Sequence, residues 1–227
     1  MVLLNNDTAA EPGWLENLLA CAEATGAGMV SSKMVQYDNR RLMDNAGHFM
    51  LNTAEIIPLG HGRPVEEYNE RLHNFGACAG AALYRTDMLQ QIGLFDEFFD
   101  TGYEDAELGA RALLLGYLCV YEPRAVVYHK GSRSLRKVIN EHYLSRVQLN
   151  IFYTYGKLMP LGVLLINLPS FLFKYASVLL IDLLFARWRY LRIMTRAMKW
   201  ALFRYRREIL RSRRSFFRNR KTISSLA

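Results

Sequence analysis

Acidic residues almost vanish from the end of the chain: between Arg187 and Lys221 there is one, Glu208, against fourteen lysines and arginines. That segment carries +13 of a net charge of +8, so everything before it is mildly acidic at −5. The charge therefore belongs to a tail and not to a chain-wide nucleic-acid surface. Cysteine is equally scarce. Cys21, Cys78 and Cys119 stand far apart in apolar settings, with no C-x-x-C pair and no even count, which favours buried thiols in a reducing compartment over disulfides or metal ligands. The N-terminus has no basic stretch and no small-residue cleavage site, so no secretory signal is expected. No internal repeat and no low-complexity tract precedes the tail. At 227 residues the chain has room for one α/β domain and an appendage.

Met1-Val2-Leu3-Leu4 reads as the end of a strand, followed directly by the polar run Asn5-Asn6-Asp7-Thr8. Trp14-Leu15, Leu18-Leu19 and Ala22 recur with helical spacing behind Pro12, and Gly26 and Gly28 end that helix. Ala27 to Val35 reads as a strand, and Tyr37 to Tyr68 as irregular hairpins and loops. Phe75 to Tyr84 is a run of small residues that lets a ligand or another backbone approach closely. Asp87 is expected to cap a short helix that runs to Ile92 and stops at Gly93. A loop follows, then helical spacing from Glu104 to Leu115 with Leu108, Ala112 and Leu115 inward, then strand pieces at Tyr117 to Tyr121 and Ala125 to Tyr128. Alternating strands and helices predict an α/β domain ending near Ser134.

Beyond Asn140 the composition changes. Leu158 to Phe185 is strongly apolar, but Asn167, Pro169, Lys174 and Asp182 break it into pieces shorter than the roughly 20 residues that a membrane span needs. The whole stretch could cross once if Lys174 were buried or paired. From Arg187 to Leu210, Trp188, Leu191, Met194, Met198, Leu202, Tyr205 and Ile209 form an apolar stripe, while Arg192, Arg196, Lys199 and Arg206 lie elsewhere. This predicts a basic amphipathic helix at an anionic membrane surface. A surface helix docked on its own domain is the plainer alternative. Basic tails also bind nucleic acid without selectivity, but no nucleic-acid partner is expected here.

Three polar clusters fall at or near predicted strand ends, where open α/β sheets place their ligands. Asp7 in Asn5-Asn6-Asp7 supplies a carboxylate able to hold a divalent cation against a diphosphate. Asp96 and Glu97, then Glu104 and Asp105, interleave with aromatics and would repel one another without a cation, a base or a polyhydroxylated ligand among them. His129 ends the run Val126-Val127-Tyr128 and opens a flexible basic loop. Each has a bland explanation as well: a turn, a helix N-terminal cap, a satisfied structural histidine.

In combination these motifs resemble the C-terminal half of the family-2 inverting glycosyltransferases with the GT-A fold, bacterial rhamnosyltransferase-like members in particular. The resemblance rests on GACAGAALYRTDMLQQIGLFDEFFDTGYEDAELGARALLLGYLCVYEPRAVVYHKGSRS and on LLNNDT, and it covers about residues 1–150. Its parts are the small-residue run, the FDE-x-F loop, Glu104-Asp105 with Arg111 after it, and the strand-end histidine. The resemblance implies the C-terminal part of a GT-A (nucleotide-diphospho-sugar transferase) fold over residues 1–135. A connecting helix over 136–157 and membrane-associated helices over 158–221 are expected to follow. It implies that Asp7 matches the last Asp of the family's D-x-D metal motif, with Asn5 where the first Asp would stand, and that His129 is a further ligand to Mg²⁺ or Mn²⁺. It makes Asp105 the catalytic base, sets Glu104 near the acceptor, and lines the donor-sugar pocket with Gly80 and Ala81. Asp96 and Glu97 are expected on the substrate side.

The implied reaction moves a sugar from a nucleotide-sugar donor to a glycan or lipid-linked acceptor with inversion, for cell-surface polysaccharide synthesis at the cytoplasmic face of the bacterial inner membrane. A positioned carboxylate takes the proton of the attacking hydroxyl, and a cation neutralises the departing diphosphate, so one base and one metal site suffice. The family's base- and ribose-binding strands precede the D-x-D motif. An upstream segment is therefore expected, Val2-Leu3-Leu4 is expected inside a parallel sheet, and this chain alone is expected to bind donor weakly. The rival reading is a non-catalytic, membrane-binding remnant of such an enzyme.

Overall fold

The computed structural model describes residues 1–100, 102–131 and 139–224, with side chains described as far as Arg220. The expected domain end at Ser134 and the 135/136 boundary fall outside the described residues. The chain divides into two compact units. One comprises Met1–Met50, Ile56–Phe98 and Glu104–Arg133; the other comprises Leu51–Glu55, Phe99–Tyr103 and Ser134–Ala227.

The first unit is mixed α/β. Its strands are β1 (Val2–Leu4), β2 (Thr8–Ala10), β3 (Met29–Gln36), β4 (Met43–Asn45), β5 (His48–Met50), β6 (Ile56–Pro58), β7 (Leu72–Asn74), β8 (Ala81–Tyr84) and β9 (Cys119–His129). Its helices are α1 (Trp14–Thr25), α2 (Thr86–Ile92) and α3 (Glu104–Leu114). The main sheet runs β1-β8-β3-β9-β2, with β4 added to β3 and β7 to β9, while β5 and β6 form a separate hairpin. Only β3 and β9 pair in parallel among the described strands, in register from Met29 beside Cys119 to Gln36 beside His129.

Alternation along the central strands explains why they are apolar on both faces. Ala81 and Leu83 enter a core with Trp14, Leu18 and Ala22 of α1, whereas Ala82 and Tyr84 enter another with Met88 and Leu89 of α2 and Leu108 and Ala112 of α3. Trp14 satisfies its buried indole N–H on Ser32 Oγ at 2.8 Å. Helix α3 comes unusually close to the chain before β8: a Cβ on Gly109 would sit 3.0 Å from Gly76 Cα. Glycine at 109 thus allows a tight approach of α3, whose first turn carries Glu104 and Asp105, to the chain at Gly76.

Three local expectations need correction. β1 is not an interior parallel strand: it pairs antiparallel with β8 alone, at the sheet edge, and Leu4 is exposed. Its apolar residues still serve both faces, Val2 packing against the core under α1 and Leu3 against the core under α2 and α3. Asp87 does not cap α2, whose N-cap is Arg85; it lies in the first turn and accepts from Arg85 Nε at 3.0 Å. The two strand pieces after α3 are one strand, β9, whose register against β3 slips between Ser32 and Lys33, opposite Pro123 and its neighbours.

Among the described residues the second unit contains four α-helices: α4 (Glu141–Leu158), α5 (Leu161–Leu184), α6 (Trp188–Lys199) and α7 (Arg206–Ser224). Asn140 caps α4 by accepting from Tyr143 N at 2.9 Å. Helix α5, 24 residues long, is long and apolar enough to cross a membrane by length and composition. Pro169 lies inside it, and only Tyr175 and Asp182 are buried. Lys174, which interrupts its apolar sequence, is paired with Glu55, and Tyr175 Oη donates to the same carboxylate at 3.1 Å. The helix expected over Arg187 to Leu210 is broken by a π-turn at Trp200–Arg204. Met194 of the apolar stripe is buried, together with Ile193 and Ala197 beside the stripe, with α6 against α4 and α5. Trp188 and Leu202 remain exposed.

Candidate functional site

The carboxyl ends of the central strands gather one half of the site. Antiparallel pairing sets Thr8 opposite His129, so the turn before β2 carries Asp7 beside the end of β9, and Lys130 N donates to Asp7 O at 3.0 Å. Asp7 Oδ1 lies 3.4 Å from His129 Nε2. On the other side of the ring, Asp44 of β4 meets His129 Nδ1 at 2.7 Å. Hydrogen bonding to Asp44 first, and then the charge of Asp7, holds His129 above the usual imidazole range despite its partial burial.

A carboxylate on Nδ1–H, with Nε2 turned toward a second carboxylate, is the arrangement by which proteins orient a metal-binding histidine. Two ligands held at about 2.0–2.3 Å from one cation come to lie about 3 Å apart. The 3.4 Å between Asp7 and His129 meets that requirement. The protein would supply these two donors, leaving the remaining positions to water and phosphate oxygens, as Mg²⁺ and Mn²⁺ accept. Asn5 joins this half to the next through its backbone, donating from N to Gly80 O at 2.8 Å.

Asp105 stands in the first turn of α3. Its Oδ2 accepts from Ala79 N at 3.1 Å and its Oδ1 from Ala106 N at 2.8 Å, so both oxygens are fixed by backbone N–H groups. His48 of β5 places Nε2 at 3.9 Å from Asp105 Oδ2. Glu104 is half-buried, with Oε2 out of solvent and without a hydrogen-bond partner. Burial, and then the neighbouring charge of Asp105, raises its pKa. A carboxyl raised in the folded state destabilises the native protein once it ionises. Native stability should therefore fall as pH rises from the unfolded value of about 4.5 through the folded one. Glu104→Gln should raise the melting temperature at pH 7–8 and give no gain at pH 4, as read by parallel thermal melts.

The other expected site residues are placed differently from one another. Gly80 is buried, and a Cβ on it would meet Asn5 Nδ2 and Cys78 Sγ at 3.4 and 3.5 Å, so it lies between the two halves. Ala81 does not face that site: it is 1% exposed and its methyl belongs to the core under α1, which removes its side chain from any donor pocket. Asp96 accepts from Phe98 N at 2.9 Å and so closes a local turn, while Glu97 is exposed.

Asp44, His48 and Cys78 belong to the constellation without having been singled out. The charges of Asp105, Asp44 and Glu104 all act on Cys78, and together with burial, the largest cause, they push its thiol far above the ordinary range. Cys78 thus connects the Asp7–His129 half and the Asp105 half. Asp44 and His48 lie in the short hairpins between β3 and β7, where lone polar residues give no periodic signal.

No protein-family model matches this chain, and no curated protein matches its sequence.

Proposed function

We propose that the chain is the metal- and acceptor-binding part of an inverting glycosyltransferase of the GT-A type. Its donor is a nucleoside diphosphate sugar and its acceptor a glycan or lipid-linked hydroxyl at a membrane surface. The observation that carries this reading is that two groups remote in sequence flank one short segment. Asn5, two residues before Asp7, takes up Gly80 O, and Asp105 takes up Ala79 N. A cation-binding pair and a backbone-held carboxylate thereby share one site, as displacement at an anomeric carbon requires.

In this mechanism Asp105 accepts the proton of the acceptor hydroxyl as that oxygen attacks the anomeric carbon. The new glycosidic bond forms on the face opposite the breaking bond to the diphosphate, the nucleoside diphosphate departs with the bonding pair, and configuration inverts. When bound by Asp7 and His129, Mg²⁺ or Mn²⁺ supplies neutralisation of the diphosphate charge. Asp44 holds the His129 ring with Nε2 toward Asp7. The proton on Asp105 passes to water once the product leaves.

Mn²⁺ binding tests the cation pair directly, because protein-bound Mn²⁺ loses the sharp electron paramagnetic resonance spectrum of the aqueous ion. Asp7→Asn and His129→Gln should each weaken Mn²⁺ binding, and Asp44→Asn should weaken it by about 10–100-fold, the usual effect of losing an outer carboxylate. Unchanged affinity in Asp7→Asn would take the pair out of the metal site. Normal Mn²⁺ binding with no consumption of any nucleoside diphosphate sugar, in a form of the protein that binds donor, would favour the non-catalytic remnant.

The membrane side of the proposal is supported by the second unit. Leu165, Ile166, Phe173, Leu184 and Phe185 of α5 and its end are exposed, next in sequence to the fourteen basic residues from Arg187 onward. A cavity of about 480 Å³ among α4, α5, α6 and α7, lined by Phe152, Leu172, Leu179 and Leu210 with Arg206, suits an acyl or isoprenoid chain that ends in phosphate. The protein should float with vesicles containing anionic lipid more strongly than with zwitterionic ones, and the difference should shrink as salt is raised, since each Lys or Arg near anionic lipid adds about 1 kcal/mol. Equal flotation with both would remove the electrostatic part of the proposal.

A further inference from the structure

Histidine 48 is the least explained polar side chain of the first unit. It is buried, at 6% exposure, and its Nδ1 has no hydrogen-bond partner. Its Nε2 reaches Asp105 Oδ2 only at 3.9 Å, too far for a hydrogen bond. Neither ring nitrogen thus has a hydrogen-bond partner among the described residues, for which an ion or a water is the usual reason in a buried side chain. Nε2 is the nitrogen that faces Asp105 and would be the ligand. The third member of the group is Cys78: one donor atom from each of His48, Cys78 and Asp105 lies within 4.8 Å of the others.

We propose that His48, Cys78 and Asp105 form a second cation site, separate from the Asp7–His129 pair and selective for a zinc-like ion. A nitrogen and an oxygen that each bind an ion at about 2.0–2.2 Å can stand as far apart as His48 and Asp105 do, with the ion between them. The donor set decides which ion. One imidazole, one thiolate and one carboxylate suit Zn²⁺ or Co²⁺ and are poor for Mg²⁺, which takes oxygen. Local charge agrees, since Asp105, Asp44 and Glu104 all place negative potential on Cys78. Three protein ligands leave a fourth position open to water. Such an ion would occupy the carboxylate oxygen that Asp105 needs as a base; that consequence, and only that one, rests on the proposed transferase reading. The site would then switch transfer off when zinc is plentiful.

Co²⁺ alone is the probe, added to the intact chain, because a thiolate ligand gives it a charge-transfer band in the near ultraviolet. Wild-type protein should develop that band with one equivalent of Co²⁺, and Zn²⁺ should abolish it. Asp7→Asn, Cys21→Ala and Cys119→Ala should keep the band, whereas Cys78→Ala should lose it. His48→Gln should weaken Co²⁺ binding at this site by more than the roughly 10–100-fold that loss of an outer partner costs, and it serves as the deciding variant if Cys78→Ala fails to fold. No thiolate band at saturating Co²⁺, a band that survives Cys78→Ala, or unchanged affinity in His48→Gln would each overturn the proposal. The spectrum is read without any sugar transfer, so failure of the transferase reading would leave it standing, and the reverse.

Discussion

In a form of the protein that binds donor and transfers sugar, Asp105→Asn should lower turnover by about 10²-fold or more while leaving donor affinity and Mn²⁺ binding close to wild type. The argument begins with geometry. Both oxygens of Asp105 are held, one by Ala79 N and one by Ala106 N, and the side chain keeps 15% of its surface open. A carboxylate fixed in this way is oriented without being used up, since each oxygen has a second lone pair. Asparagine preserves shape and removes the basic lone pair.

Asparagine also turns an amino group toward one of those two N–H donors, so a stability loss of about 1 kcal/mol is expected alongside. Activity must therefore be compared at a temperature where both proteins are folded. The split between kcat and KM separates the roles: loss of proton acceptance lowers kcat with KM unchanged, whereas loss of a binding contact raises KM. Near-normal kcat, or a fall wholly accounted for by KM, would reject Asp105 as the base.

Much of the first unit was legible in the sequence because local physics determined it. The spacing of Trp14, Leu18 and Ala22 and the stop at Gly26 are intrahelical facts, and α1 ends with Gly26 in the left-handed region. The small-residue run before Tyr84 foretold a close backbone neighbour, which Gly76 has in Gly109, but not the strand β8. The site was legible only in part. Asp7 and His129 announced themselves because one lies in the polar run just behind an apolar strand and the other ends one, and the pairing of Thr8 with His129 brings them together.

Asp44 reaches His129 across β3 by a register that no local pattern encodes. His48 sits on a three-residue strand, too short for alternation to be read. Cys78 looked like one more buried thiol, because its sequence neighbours are alanine and glycine and the acids around it come from elsewhere in the chain. β1 misled for a related reason: three apolar residues look alike whether a strand lies inside a parallel sheet or pairs antiparallel at its edge. The π-turn at Trp200–Arg204 was hidden because the residues within it keep helical spacing.

Arg111→Met should destabilise the first unit by about 3–5 kcal/mol, the usual cost of removing one partner of a buried ion pair. Arg111 is 7% exposed and Glu107, one turn earlier on α3, is 0% exposed. The guanidinium donates from Nε to Glu107 Oε1 at 3.1 Å and from Nη2 to Oε2 at 2.9 Å, a bidentate pair. It also donates to Ile92 O from Nη1 and to Leu94 O from Nη2, tying α3 to the end of α2. Methionine fills similar volume but leaves a carboxylate and two carbonyl oxygens without these donors. Because a domain is stable by only about 5–15 kcal/mol in all, the loss is a large fraction of the total. Hydrogen exchange of the α3 amides reports it within this unit alone, and they should exchange more than about a hundredfold faster, since each 1.4 kcal/mol is a factor of ten. Arg111→Met with Glu107→Leu should recover part of the loss by removing the stranded charge, though not the part owed to the two carbonyls. The expected defect in transfer is indirect: α3 carries Asp105 four residues before Gly109, where a Cβ would sit 3.0 Å from Gly76 Cα, and a helix released from α2 can no longer hold that fit. If the α3 amides exchange at the wild-type rate in Arg111→Met, the ion pair does not set the position of this helix, and the placement of Asp105 must be ascribed to the glycine contact alone.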